Sequence, residues 1–317
     1  VTRADLLTEA RALGTQSFAL AATRAEAFEA LRERVEDDDE LVLFDLAWIE
    51  ARAHNAARGG EPWAGDEADV LLSALSRVVV GSVVEERERE FYAALDALRD
   101  ALADRRLDAS SEVATSAWLA LARGSIRVED RDRIAAALTV WHRACAGAQG
   151  TTAGQCALTA LELASHADDG EAARDAAEQL WRFREPAASD GMLDAADRAS
   201  LIAPVWQVRM ALGDAEGARV AANALVALCI ESDRPARVAD ALAAAAECAM
   251  AQGDHPSARS ALARRLEISE GLLAEAQAAE HTDGTLFALA RRDEAREALS
   301  ALDAMLAEAE GRAPGSG

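Results

Sequence analysis

Lysine is missing altogether: every fixed positive side chain in the 317 residues is an arginine. That absence removes the P-loop lysine that reaches nucleotide phosphates, the Schiff-base amine that holds a pyridoxal cofactor, and the kinase-type lysine. Aromatic residues make up only 4% of the chain, and tyrosine occurs once, at Tyr92. An aromatic cavity able to shield a carbocation therefore has little to build it from. Cysteine occurs four times, at 145, 156, 229 and 248, too sparsely for a disulfide framework in a chain of this size, so free buried thiols are expected. No uncharged apolar run reaches membrane-spanning length and no basic-then-apolar leader opens the chain, which leads us to expect a soluble, cytoplasmic protein with no membrane partner. Long β-branched alternation is scarce as well. Val78-Val79-Val80-Gly81-Ser82-Val83-Val84 is the one segment with strand character, and it reads as a helix end, a turn and a new helix start.

What is present is acid and alanine. Aspartate and glutamate number 56 against 33 arginines, a formal charge of −23. A surface this acidic repels a phosphate backbone, so no nucleic-acid partner is expected. Hydrophobic residues reach 51% with alanine used heavily, a small-grained apolar surface that suits closely packed helices.

Four segments align with one another. They are Asp169-Gly-Glu-Ala-Ala173-Arg174-Asp-Ala176, Asp214-Ala-Glu-Gly-Ala218-Arg219-Val-Ala221, Asp254-His-Pro-Ser-Ala258-Arg259-Ser-Ala261 and Arg291-Arg-Asp-Glu-Ala295-Arg296-Glu-Ala298. Successive alanines lie 45, 40 and 37 residues apart, periods that fit stacked helical hairpins. Inside one unit, Ile202, Val205, Trp206 and Leu212 share a helix stripe, Gly213 can end that helix in a left-handed conformation, and Asp214 can cap the next. Ala218, Ala221, Ala222, Leu225 and Cys229 then repeat on one face, small residues where two backbones cross. Gly253-Asp254 repeats the turn, with Pro256 in a first helical turn where its missing N–H costs little. Thr282-Asp283-Gly284 breaks the pattern, so 284–310 reads either as a last pair or as one long capping helix.

Met210-Ala-Leu-Gly-Asp-Ala-Glu-Gly-Ala218 and Met250-Ala-Gln-Gly-Asp-His-Pro-Ser-Ala258 resemble the tetratricopeptide repeat, with its Gly-Asp turn and its alanine at the tight crossing. The resemblance implies an all-α fold, a right-handed α-solenoid of antiparallel helix hairpins. Divergent helical repeats are expected over 1–150, repeats closer to the family over 151–310, and a disordered tail at 311–317. Glu26 to Arg32 then looks like the second helix of one unit and Phe44 to Trp48 like the first helix of the next. In the same phase Leu46 and Ala47 take the packing positions, which turns Phe44 and Trp48 to the inner surface. Leu158 and Glu162, Ala203 and Gln207, and Ala243, Glu247 and Met250 follow along a concave, mildly acidic groove. The other tryptophans read as core.

The acidic run at 37–40, with Asp39 free to cap a helix, occupies the inter-repeat turn. A diphosphate-type Mg²⁺ cluster would need a further acid where Leu41 or Val42 stands. His142, Cys145, Cys156 and His166 invite a zinc reading. However, Cys156 and His166 sit ten residues apart on one expected helix, about 15 Å at 1.5 Å per residue, and cannot meet one ion. The chain carries no Gly-x-Ser-x-Gly elbow, Gly-x-Gly-x-x-Gly loop or Glu-x-x-His pair. We therefore expect no catalytic residue, no metal and no cofactor. The resemblance implies a scaffold or adaptor that holds a peptide or helix of a partner protein, with basic or apolar character in the bound segment. A peptide-sensing regulatory module is the alternative. The family's clamp for a C-terminal carboxylate, built from lysines and asparagines, is not expected in a chain with no lysine and only Asn55 and Asn223.

Overall fold

Five helices begin on an aspartate. Asp130, Asp169, Asp194, Asp214 and Asp254 each accept hydrogen bonds from backbone N–H groups two or three residues ahead, at 2.8–3.2 Å. These contacts satisfy donors that a helix start leaves without partners. Gly213 and Gly253 end the preceding helices at φ 79° and 73°, the left-handed conformation that a residue without a Cβ adopts at no steric cost. The N–H of Asp214 then reaches back to the Arg209 carbonyl at 2.8 Å, and that of Asp254 to the Ala249 carbonyl at 2.9 Å. The Gly-Asp turn works as expected from the sequence, stopping one helix and starting the next.

The computed structural model describes residues 7–12, 21–35, 41, 43–49, 66–81, 88–104, 109–189 and 191–311. Regular structure among these is helical throughout, with one 3₁₀ turn at Pro186–Ser189. The longer helices are α1 (Ala21–Arg32), α2 (Asp66–Gly81), α3 (Glu88–Ala103), α4 (Ser111–Arg127), α5 (Arg131–Ala144), α6 (Gly150–Ala167), α7 (Gly170–Arg182), α8 (Ala195–Ile202), α9 (Val205–Ala211), α10 (Ala215–Glu231), α11 (Pro235–Ala251), α12 (His255–Ala278) and α13 (Thr282–Gly311). Short helical segments also occupy 7–12 and 43–49. The chain divides into two compact units, Val1–Ala172 and Ala173–Gly317, and the divide falls inside α7.

In the first unit α2, α4 and α6 lie side by side in one layer, and α3 and α5 form the other. Each helix also packs on its neighbour in sequence, with α1 against α2. This is the two-layer stacking of helical hairpins. Large side chains fill it: Trp118 and Trp141 are 0% and 2% exposed, and the Trp118 Nε1–H donates to the Ala137 carbonyl at 3.0 Å. The second unit runs α8 and α9 on α10, then α10 on α11, α11 on α12 and α12 on α13. Its interior is fine-grained. Ala218, Ala222, Ala244 and Cys248 pack with Trp206 and Met210, and Ala246, Ala249, Ala258 and Leu262 pack with Leu302. A buried alanine contributes only about 0.8 kcal/mol for its methyl group; its value is the close backbone approach that lets neighbouring side chains fill the space.

The array ends in a single long helix. Gly284 N–H donates to His281 Nδ1 at 2.8 Å, so Thr282-Asp283-Gly284 opens α13 instead of interrupting an earlier helix. No glycine or proline follows until Gly311, and α13 runs straight through the fourth Ala-Arg-x-Ala segment, whose Ala295 is fully buried. Val78-Val79-Val80-Gly81 closes α2, as read from the sequence; the turn and new helix start expected at 82–84 lie outside the described residues.

Candidate partner-binding grooves

Phe44 and Trp48 do not face a groove. They are 1% and 0% exposed and pack on Phe28 of α1, with ring centroids 5.2 and 4.3 Å apart. Two aromatic side chains offer far more apolar area than Leu46, so the helical phase at 43–49 follows them and leaves Leu46 only half-buried. The expectation rested on family positions that this segment does not keep.

The neighbouring Asp45 is what the segment brings to a cleft. Its side chain is 0% exposed and lies 3.5 Å from Arg32 Nε. It also accepts from Arg77 Nε at 2.8 Å and from Arg77 Nη2 at 3.1 Å, a bidentate pairing that fixes the guanidinium plane. Around it opens a cleft of about 760 Å³ lined from four directions: Arg32 and Asp45, then Ser76, Arg77 and Val80 of α2, then Leu119 and Arg123 of α4, and Gln155 of α6. Among the described residues three arginines line it against one aspartate, and Glu29 of α1 lies 3.9 Å from Arg77 Nη2. Half-buried Leu158 and exposed Glu162 continue the α6 stripe begun by Gln155, one and two turns on.

The second unit has a groove of its own, about 520 Å³, between α8–α9 and α11 with α10 beneath. Ala203 and Gln207 line it, together with Ala199, Trp206, Leu225, Ala241 and Ala244. Pro204 shapes this wall. It has no N–H to give the Ser200 carbonyl four residues back, so the run breaks into α8 and α9. Arg237 crosses from α11 to bond Ser200 Oγ at 2.7 Å and the Ala196 carbonyl at 3.1 Å. Asp240 is held by Arg291 through two bonds of 3.0 Å, so among the described residues the lining's one carboxylate is neutralised and the groove is mostly apolar. Burial pushes the Cys229 thiol on the groove floor above its ordinary pKa, which keeps it uncharged. Half-buried Ala243 and exposed Glu247 and Met250 follow Asp240 along α11 but lie outside the groove lining. Trp206 was missed as a groove residue because its stripe reads as core; the proline two positions before it was the available signal.

Other chemistry expected or tested in the sequence resolves simply. Cys145 and Cys156 interact with each other, which pushes the Cys145 pKa up and the Cys156 pKa down. His142 stacks on Trp141 with centroids 4.3 Å apart, and His166 is exposed near the end of α6. Among the described residues no three histidine, cysteine, aspartate or glutamate side chains come together as metal ligands, and no helix is long and apolar enough to cross a membrane. The acidic run at 37–40 lies outside the described residues, with helix on both sides of it at 21–32 and 43–49.

No protein-family model matches the chain, and no curated protein does. Among solved structures the chain is similar to the apo form of RapI, at 10% identity and a TM-score of 0.46, over 88% of this chain and 76% of that one. It is also similar to a Rap protein complexed with competence and sporulation factor, at 15% identity and a TM-score of 0.32, over 95% and 99%. A designed circular tandem repeat protein aligns at 15% identity and a TM-score of 0.28, over 97% and 72%.

Proposed function

We propose that the chain is a non-catalytic interaction module that holds a segment of a partner protein, anchored by an apolar side chain in the groove between α8–α9 and α11. The observation that carries this reading is the groove itself. Its walls carry alanines and Trp206 beside Ser200, Gln207 and Arg237, its floor is Leu225 and Cys229, and Asp240 is already paired with Arg291. Small residues on facing helices leave room for a side chain that this chain does not supply. An aromatic edge beside that space gives an entering group a large contact area at little entropic cost. A concave helical-hairpin surface suits an extended or helical segment better than a small polar molecule. Of the two partner chemistries drawn from the sequence, this groove favours the apolar one.

A displayed peptide library selected in parallel on the protein and on its Ala203→Trp variant tests the proposal. Ala203 is half-buried at the groove wall, so the indole fills the space while the helices stay intact, which circular dichroism checks. Peptides with a large apolar residue should be recovered on the unmodified protein and lost on the variant. Equal recovery on both proteins, or no selection at all, would contradict the proposal.

A further inference from the structure

We infer that the arginine-lined cleft of the first unit binds an acidic segment of a partner protein, in which carboxylate side chains alternate with apolar ones. The site is separate from the apolar groove of the second unit and does not depend on it.

Acid is in excess over the whole chain. With 56 acids for 33 arginines, an arginine on this protein has acids in ample supply, and the helix surfaces show it. Arg99 lies 2.8 Å from Asp100, Arg133 2.6 Å from Asp130, Arg219 2.6 Å from Glu216, Arg259 2.7 Å from Asp303 and Arg296 3.1 Å from Glu270. The cleft departs from this pattern. Arg32, Arg77 and Arg123 reach it from α1, α2 and α4, while among the described residues Asp45 is the one acid in its lining. Asp45 is buried and already engaged by both Arg32 and Arg77. Arg123 is exposed and makes no ion pair or hydrogen bond among the described residues. A guanidinium fork offers five donors, and Asp45 takes two from Arg77. The pairing fixes Arg77 in place, Glu29 of α1 lies 3.9 Å from its Nη2, and Nη1 is the part of the fork left open to a further carboxylate.

The apolar share of the lining sets the class of ligand. Val80 is 68% exposed at the rim, and Leu119 and Ala120 line the cleft between Arg77 and Arg123. A polyphosphate or nucleic-acid backbone has nothing to place on that surface and would meet the chain's overall negative field. A peptide with glutamates flanking a leucine satisfies both the cations and the apolar strip.

The test is fluorescence anisotropy on the full chain with a short labelled peptide alternating glutamate and leucine, its glutamine counterpart, and inorganic polyphosphate as competitor. The glutamate peptide should bind, weaken as salt rises, and lose about fivefold in affinity with Arg123→Ala and about tenfold or more with Arg123→Glu. Arg123 is exposed, so unchanged helicity and melting temperature separate these effects from misfolding. Ala203→Trp, in the other groove, should leave this binding unchanged; a loss there would move the site to the second unit and overturn the inference. The inference also fails if the glutamine peptide binds equally well, if Arg123→Glu has no effect, if no peptide binds, or if polyphosphate displaces the peptide at lower concentration than the peptide itself requires.

Discussion

Replacing Asp45 with alanine removes the one carboxylate that two half-buried arginines share. Taking away one partner of a buried ion pair costs about 3–5 kcal/mol, because the other charge stays desolvated. Here Arg32 and Arg77 retain 22% and 29% side-chain exposure, so water recovers part of that, and we expect about 2 kcal/mol for Asp45→Ala. Asp45→Asn keeps an acceptor oxygen for Arg77 but no charge, and should cost about 1 kcal/mol. A double-mutant cycle with Arg77→Ala should return a coupling of about 1 kcal/mol or more, since the two residues exchange both bonds of a fork. Urea unfolding followed by tryptophan emission measures it. In a Trp181→Phe/Trp206→Phe background the signal comes from the first unit, where Trp118 and Trp141 are buried. If Asp45→Ala shifts the transition by less than about 0.5 kcal/mol, the arginines are hydrated like surface charges and the ordered cleft argued from them is refuted.

Trp48→Ala should destabilise the first unit by about 3–5 kcal/mol in the same assay, the range for a buried aromatic truncated in a core, whereas a groove-facing tryptophan would cost far less. Ala218→Leu overfills the crossing of α10 and α11, where Ala218 is fully buried against Ala244 and Cys248, and should cost about 1–3 kcal/mol in thermal unfolding of the second unit. Asp130→Ala should cost about 1 kcal/mol of stability through the lost α5 cap. Backbone bonds to Arg133 hold the Asp130 carboxyl below its ordinary pKa, so its contribution is present above the unfolded pKa of about 3.9 and fades as pH falls through the lower folded value. The Cys248 thiol is pushed up to about 11 by burial, with the Glu247 charge adding to it; a thiol-disulfide reagent at neutral pH should modify it only after denaturant is added.

Much of the second unit was legible because turn chemistry is local. Gly213-Asp214 and Gly253-Asp254 specify a stop and a start within a few residues, and the alanine stripes of α10 and α12 follow from periodicity alone. Helix phase over a short segment was not. At 43–49 the direction of Trp48 is decided by Phe28 on another helix, a contact at a distance in sequence that no pattern inside Phe44 to Trp48 announces. The length of α13 was readable from the absence of glycine and proline between Gly284 and Gly311, yet Thr282-Asp283-Gly284 also allowed a last helix pair, which packing did not require. Groove chemistry was the least legible part. Glu162 and Glu247 are acids on the helices expected to form a concave wall, but the charge of a cleft depends on which acids are already paired. Arg291 neutralising Asp240 and Arg77 fixing Asp45 are pairings across 51 and 32 residues.

Hydrogen–deuterium exchange on the full chain, with and without a selected apolar-anchored peptide, tests most directly whether the hairpin groove is where partners bind. Protection should appear over 199–207 and 237–244, on α8, α9 and α11, and disappear with Ala203→Trp. Protection confined to α12, or none anywhere in the second unit despite measured binding, would contradict the account.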